Sequence, residues 1–399
     1  MGFKAIGQSM PVPGTPSYED WMRNQISSVA DSADTAIKLI PVIVHVLHGG
    51  EAIGVGPNIS DAVIASQIRI LNEDYGRLAG TNGYNTNAAG VDTRIRFVLA
   101  NRDPYNQPTT GIHRVTALNA RDTTSTWNFN DGRAIKRFGY WPCERYMNIW
   151  VCNMTDNTLG FAQYPVTTLP GLTNIGPQLD STDGVVIGYK FFGASGALGG
   201  KYNLGRSATH EIGHFFGLVH AFGDAPCGND YCEDTPPQAN ESYHCPIGQS
   251  TCNHPGVPDM IENYMNYTDD HCMSIFTFDQ WSRMKVVLAN SRCRKTLYNS
   301  GGYVDPTGVN PNIEASNIKV QPIDGLDGNF LLTFPGDTNY PVRLTLFDIA
   351  GRRVDEKLFS NAGGTTVQYT LNAASAGIYM AVFNFNGFKV LRRLPKVLD

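Results

Sequence analysis

The stretch "HEIGHFFGLVH", residues 210–220, gathers three of the nine histidines of a 399-residue chain, and one glutamate, among apolar side chains. Four residues separate His210 from His214, so a helix puts both imidazoles on one face, one turn apart. Two ring nitrogens so placed can share one metal ion at about 2.0–2.1 Å each. Glu211 follows His210 but points to the side of that face, where it can hold a metal-bound water without ligating the metal. Gly217 can take the left-handed conformation that ends a helix. The chain then turns back, and His220 can supply a third nitrogen. Three protein ligands leave a fourth position open, which marks a catalytic zinc site and not a structural one. The five fixed positions of His-Glu-x-x-His-x-x-Gly-x-x-His arise by chance with odds on the order of 10⁻⁵. The pattern therefore predicts a zinc hydrolase. Glu211 would take a proton as zinc-bound water attacks a carbonyl, then pass it to the leaving amine.

Composition narrows the setting. The net charge is −5 and no basic run stands out, so there is no electrostatic case for nucleic acid. No apolar run reaches the length of a membrane span. The opening "MGFKAIGQSM" lacks the apolar core of an export signal, and Ile6 breaks the myristoylation pattern. Eight cysteines are present: Cys143, Cys152, Cys227, Cys232, Cys245, Cys252, Cys272 and Cys293. An even count crowded into a loop-rich region favours disulfides and an oxidising compartment outside the cytoplasm. An exported protein with this start is expected to be a processed form.

Around the histidine helix, expected over 206–217, the chain reads as an α/β layer. "IPVIVHVLH" (40–48), "TRIRFVLA" (93–100), "YMNIWVCN" (146–153) and "DGVVIGYKF" (183–191) predict strands. Between the first two, Ser60 is a plausible N-cap, and Ile64, Ile68, Leu71 and Tyr75 share a helix face. Residues 221–262 are irregular and need staples or bound ions. A last helix starts where Thr277 and Gln280 form a capping-box pattern. Residues 1–37 predict a loosely ordered arm. Residues 38–298 form the α/β domain and 299–312 a Gly/Pro/Asn linker. Residues 313–399 alternate in short strands punctuated by turn residues, which predicts a small all-β sandwich.

The extended histidine motif resembles that of the metzincin metallopeptidases, which carry a methionine-containing turn beneath the zinc. "ENYMNYTDDHCM" (262–273) resembles that turn, with Met265 as its methionine. "LGFAQYP" (159–165), "DGVVIG" (183–188), "CGNDYCEDTP" (227–236) and "HCP" are further similar to the pappalysin family. The resemblance implies a twisted mixed sheet with an active-site helix and a loop-rich lower subdomain. It implies zinc on His210, His214 and His220, and Tyr267 as a hydroxyl that helps the reaction. It also implies disulfides Cys227–Cys252 and Cys245–Cys272, leaving the pairing of Cys143, Cys152, Cys232 and Cys293 open. A possible calcium site would use Asp230, the carbonyl of Glu233, and Thr235. "LGFAQYP" would be the edge strand along which peptide substrates lie. Asp269 and Asp270 would favour Arg or Lys after the scissile bond, or else be structural. "VPGTPSYEDWM" (12–22) resembles a pro-segment, but Pro13 stands where the family's zinc-capping cysteine is expected, so this stretch lacks the thiol such a latch uses.

"LTLFDIAGRRV" (344–354) and "ASAGIYMAVFNFNGFKVLRRLPKV" (374–397) are similar to C-terminal sorting domains of the type IX secretion system. That resemblance implies a secreted or bacterial cell-surface protein with the secretion machinery as a partner. The expected function is a secreted zinc endopeptidase acting on proteins or peptides. The alternatives are a secreted binding or adhesion protein with an inactive or structural zinc site, and a zinc amidase.

Overall fold

The structure, a computed structural model, describes residues 16–29, 36–119, 124–156, 158–165, 180–194, 200–223, 225–252, 257–303, 319–323, 328–334, 342–348, 352–360, 364–371, 377–385 and 388–396. These fall into two compact units, divided after Tyr303.

The first unit is built on a mixed sheet. β1 (Lys38–His48), β2 (Ile95–Leu99), β3 (Ile112–Thr116), β4 (Thr126–Trp127), β5 (Met147–Met154) and β7 (Val185–Gly188) pair in parallel, and β6 (Gly160–Ala162) runs antiparallel to β7. The path across the sheet is β2-β1-β5-β7-β6, so β6 stands at one edge. β1 is apolar on both faces because both are covered. Ile40, Val42, Val44 and Val46 join one core beneath α2 (Asp61–Tyr75) and α4 (Arg206–Phe215). Leu47, Trp127, Trp150 and Phe161 form a second cluster, beside α3 (Gly132–Ile135). Ser60 caps α2, and Thr277 and Gln280 close a capping box on α5 (Phe278–Asn290).

Two expectations change. Residues 16–29 are not a loose arm but a helix, α1 (Pro16–Val29). Tyr18 and Met22 pack on Val286 and Val287 of α5, and Arg283 donates to both oxygens of Glu19 at 2.5 and 2.9 Å. Polar composition hid this helix because its buried stripe is narrow and its anchor is an ion pair. The expected linker also begins later: Asn101 N–H donates to the Gly302 carbonyl and Ser300 Oγ to the Arg145 carbonyl, so residues 299–303 belong to the first unit. Pro13 and residues 304–318 lie outside the described residues.

The second unit has a sheet ordered β11 (Arg353–Phe359), β10 (Val342–Phe347), β13 (Gly377–Phe385), β14 (Phe388–Lys396), and another ordered β12 (Thr366–Thr370), β9 (Asn329–Thr333), β8 (Lys319–Pro322). Phe330, Leu332 and Tyr369 from one sheet share a core with Leu344, Ala381 and Phe383 from the other, as two packed antiparallel sheets do. Among the described residues, no helix is long and apolar enough to cross a membrane.

Glu19→Ala strands the Arg283 guanidinium in the interior, where losing one member of a buried pair costs about 3–5 kcal/mol. The variant is expected to unfold at a clearly lower urea concentration than the parent. An equal midpoint would show that Arg283 reaches another partner or water.

Candidate metal centre

α4 carries the motif, and its end is set by backbone chemistry. The Gly217 N–H donates to the His214 carbonyl and the Leu218 N–H to the Gly213 carbonyl, with Gly217 at φ +89°. This pair of bonds is the Schellman closure, which needs a residue without Cβ strain. A Cβ on Gly217 would also meet Val287 Cγ2 at 2.8 Å. The reversal brings His220 back over the helix.

His210, His214 and His220 are each at most 5% exposed. The His214 Nε2 lies 3.1 Å from the Nε2 of His210 and 3.1 Å from that of His220. The Nδ1 of His210 donates to the Tyr264 carbonyl at 2.7 Å, and that of His214 to the Leu218 carbonyl at 2.8 Å. Those bonds put the ring protons on Nδ1, so the Nε2 lone pairs face one another. Lone pairs at that separation repel, and a cation between them removes the conflict. Two nitrogens on a tetrahedral zinc stand about 3.3 Å apart, so the donor set fits that ion. Burial and the neighbouring rings hold His210 well below the usual histidine range, which favours the neutral ring that a metal ligand needs.

A tight turn supports the triad from below. The Asn266 N–H donates to the Asn263 carbonyl, and the Met265 carbonyl accepts from the Ala221 N–H. Met265 Sδ lies 2.4 Å from where a Cβ of residue 213 would sit, so Gly213 is what lets the turn approach the helix. Tyr267, two residues on, places its hydroxyl 3.0 Å from His220 Nε2. Glu211 is buried beside β6, where its Cγ lies 2.9 Å from the Cβ that Gly160 lacks. Burial pushes its carboxyl up to about 8, and the charge of buried Lys136 opposes that rise.

The irregular loop is stapled by Cys227–Cys252 and Cys245–Cys272, and Cys143 pairs with Cys293. Of the four cysteines whose pairing the sequence left open, Cys152 and Cys232 remain buried thiols. Asp230 accepts from the Cys232 amide, while its Oδ2, Asp234 Oδ1 and Thr235 Oγ1 are buried and make no well-formed hydrogen bond among the described residues. Glu233 is exposed, and its amide donates to Asp279. Asp270 is structural: its Oδ2 accepts from the amides of Leu204 and Arg206 at the start of α4. Asp269 pairs with Lys201 at 2.9 Å.

Sequence reasoning missed several residues at the site. Tyr164 puts its hydroxyl 3.2 Å from His214 Nδ1. Alternation along the edge strand, which sets residues 160, 162 and 164 on one side, was the available signal. Lys136 donates to the carbonyls of Thr182 and Gly184, and nothing local to its sequence marks it. A second histidine pair, His45 and His113, is a core contact. Asn148 accepts from His45 Nε2 at 3.0 Å, and burial lowers His45 to about 3, keeping it neutral.

Comparison with known proteins agrees with this geometry. The family described as pregnancy-associated plasma protein-A matches residues 132–289. Extracellular metalloprotease 1 of Coccidioides posadasii is 33% identical over 248 residues, covering 59% of this chain and 72% of that protein. An extracellular metalloprotease of Pyricularia oryzae is 32% identical over 262 residues, covering 64% and 77%. Among solved structures, Tannerella forsythia mature mirolysin with a cleaved peptide superposes at TM-score 0.57, with 36% identity, over 67% of this chain and 97% of that one. A promirolysin variant reaches 0.59, also at 36%, over 71% and 91%.

Gly213→Ala drives a methyl group into Met265 and should lift the turn away from the helix. Overpacking of this kind costs about 1–3 kcal/mol, and the metal is expected to be lost to a competing chelator at a concentration about tenfold lower than for the parent. Equal chelator titrations would mean that the turn does not set metal affinity.

Proposed function

The chain belongs to the pregnancy-associated plasma protein-A family of metallopeptidases, the pappalysins, and we propose that it cleaves proteins at the His210–His214–His220 centre with Glu211 as proton acceptor. It is a metalloendopeptidase of the pappalysin type, and its extracellular relatives support a secreted protein. The observation that carries the residue assignment is the convergence of three buried imidazole Nε2 atoms, with buried Glu211 next to His210 in the same helix.

Zinc, when bound, supplies a Lewis acid that polarises the scissile carbonyl and acidifies a water. Glu211 takes the proton of the attacking water on its carboxylate and delivers it to the leaving amine nitrogen. Burial alone raises this carboxyl, and the positive charges of Lys136 and of a bound zinc pull it back down, which keeps the carboxylate that accepts the proton. Tyr267 turns its hydroxyl from His220 and donates to the developing oxyanion, a role that burial near the centre favours. Tyr164 holds the edge strand against His214.

β6 favours polypeptide over a small amide. Leu159 accepts from the Gly188 amide and Gln163 donates to the Gly184 carbonyl, so residues 159, 161 and 163 point their main-chain groups inward. Gly160, Ala162 and Tyr164 therefore offer theirs to the open edge, where an extended peptide can add as a strand. A preference for Arg or Lys after the scissile bond rests on Asp269, which would share its charge between Lys201 and the substrate, because Asp270 is held inside by two amides. Asp230, the Glu233 carbonyl and Thr235 form the calcium site, supported by the buried oxygens that make no well-formed hydrogen bond there. The second unit, with its own core, serves as the type IX sorting module and takes no part in hydrolysis.

The decisive test digests a proteome with the parent protein and with Glu211→Gln, and reads the termini of the fragments. The parent should leave fragments starting with Arg or Lys and hold zinc and calcium by elemental analysis. The variant should keep both metals and lose activity by a factor of about 10³ or more. Comparable digestion by the two proteins sinks the role of Glu211, random termini sink the preference, and absent calcium sinks the second cation site. Cutting the chain after Tyr303 should leave kcat/KM on a peptide within about twofold while abolishing export. A collapse of kcat/KM would reject the division of labour.

A further inference from the structure

Arg294 lies outside every motif, yet it touches both walls of the reaction site. It is fully buried. Its Nε donates to the Phe215 carbonyl at 2.9 Å, its Nη1 to both oxygens of Asp183 at 2.7 and 2.9 Å and to the Cys293 carbonyl at 3.1 Å, and its Nη2 to the Gln163 carbonyl at 3.3 Å. The guanidinium carbon lies 3.3 Å from the centroid of the Phe215 ring. Phe215 is the last residue of α4, so its carbonyl has no amide of the helix to accept from. Gln163 sits between Ala162 and Tyr164, the residues whose main chain faces the open edge.

We propose that Arg294 is a positioning residue that locks the substrate-binding edge to the end of the histidine helix, and so fixes which backbone groups a bound peptide meets. The inference rests on the reading of β6 as that edge. The Gln163 amide is held by Gly184 and its carbonyl by Arg294. With both groups turned inward, alternation turns those of Ala162 and Tyr164 outward. Without the guanidinium the half-buried Gln163 carbonyl would lose its partner, and the peptide plane would gain by rotating toward water. One planar fork serves helix, edge and Asp183 together. A lysine keeps the charge beside Asp183 but cannot span all of them.

The test uses the full-length, zinc-loaded protein and its Arg294→Lys variant on two peptides sharing one scissile bond, about ten and about four residues long, so that only the longer one uses the whole edge. The parent should cleave the longer peptide with the higher kcat/KM. In the variant that value should fall about tenfold, mainly through KM, and the value for the short peptide by less than about threefold, at equal zinc content. Parallel losses on both peptides, or no loss on either, overturn the proposal. A parent indifferent to peptide length refutes the edge reading itself and takes the proposal with it. Should Arg294→Lys fail to fold, Asp183→Asn loosens the same guanidinium while preserving shape. Amide hydrogen exchange should then quicken about fivefold or more in residues 159–165 and not in β5. Unchanged exchange in 159–165 overturns the proposal as well.

Discussion

Two main-chain carbonyls decide the chemistry of this protein. Tyr264 and Leu218 each accept a hydrogen bond from an imidazole Nδ1–H, and in doing so they aim the opposite nitrogens of His210 and His214 at each other. A helix at the right spacing would not suffice, because a histidine ring can present either nitrogen. The carbonyls choose, and they come from segments outside α4. In the proposed centre the second contacts of the histidines are thus as much a part as the histidines themselves.

The rest of the first unit serves to hold those segments still. Gly213 admits Met265 under the helix, Gly217 reverses the chain, and two disulfides with sequence separations of 25 and 27 confine the irregular loop between. In the chain-entropy view each closure of that size stabilises by about 3 kcal/mol. A loop without regular structure can then position a turn as well as a strand would.

Buried arginine–carboxylate pairs recur at the joints: Arg206 with Asp74 under the start of α4, Arg294 with Asp183 at its end, and Arg283 with Glu19 behind α5. Such pairs add little net stability, since desolvation offsets attraction. They are directional, however, and a guanidinium fork binds several carbonyls at once. Helix and edge strand are joined by chemistry that tolerates no sliding, unlike an apolar contact.

Much of the site could be read from the chain because its information is local. The spacing of His210, His214, Gly217 and His220 within one helix and its reversal needs only helical geometry, and the helix caps and alternating strands follow from neighbours a few residues apart. α1 escaped because its anchoring partner, Arg283, is 264 residues away, and Arg294 because Asp183 is 111 residues before it. The bond from Cys143 to Cys293 spans 150 residues and was one of several possible pairings. The sequence by itself determined a histidine-bearing helix, a glutamate beside it, and strands to lay under them. Only the tertiary structure decided which nitrogens face inward, which thiols stay reduced, and which backbone groups β6 turns away from β7. Periodicity is a property of adjacent residues, whereas each of those outcomes is set by a partner that folding brings from far along the chain.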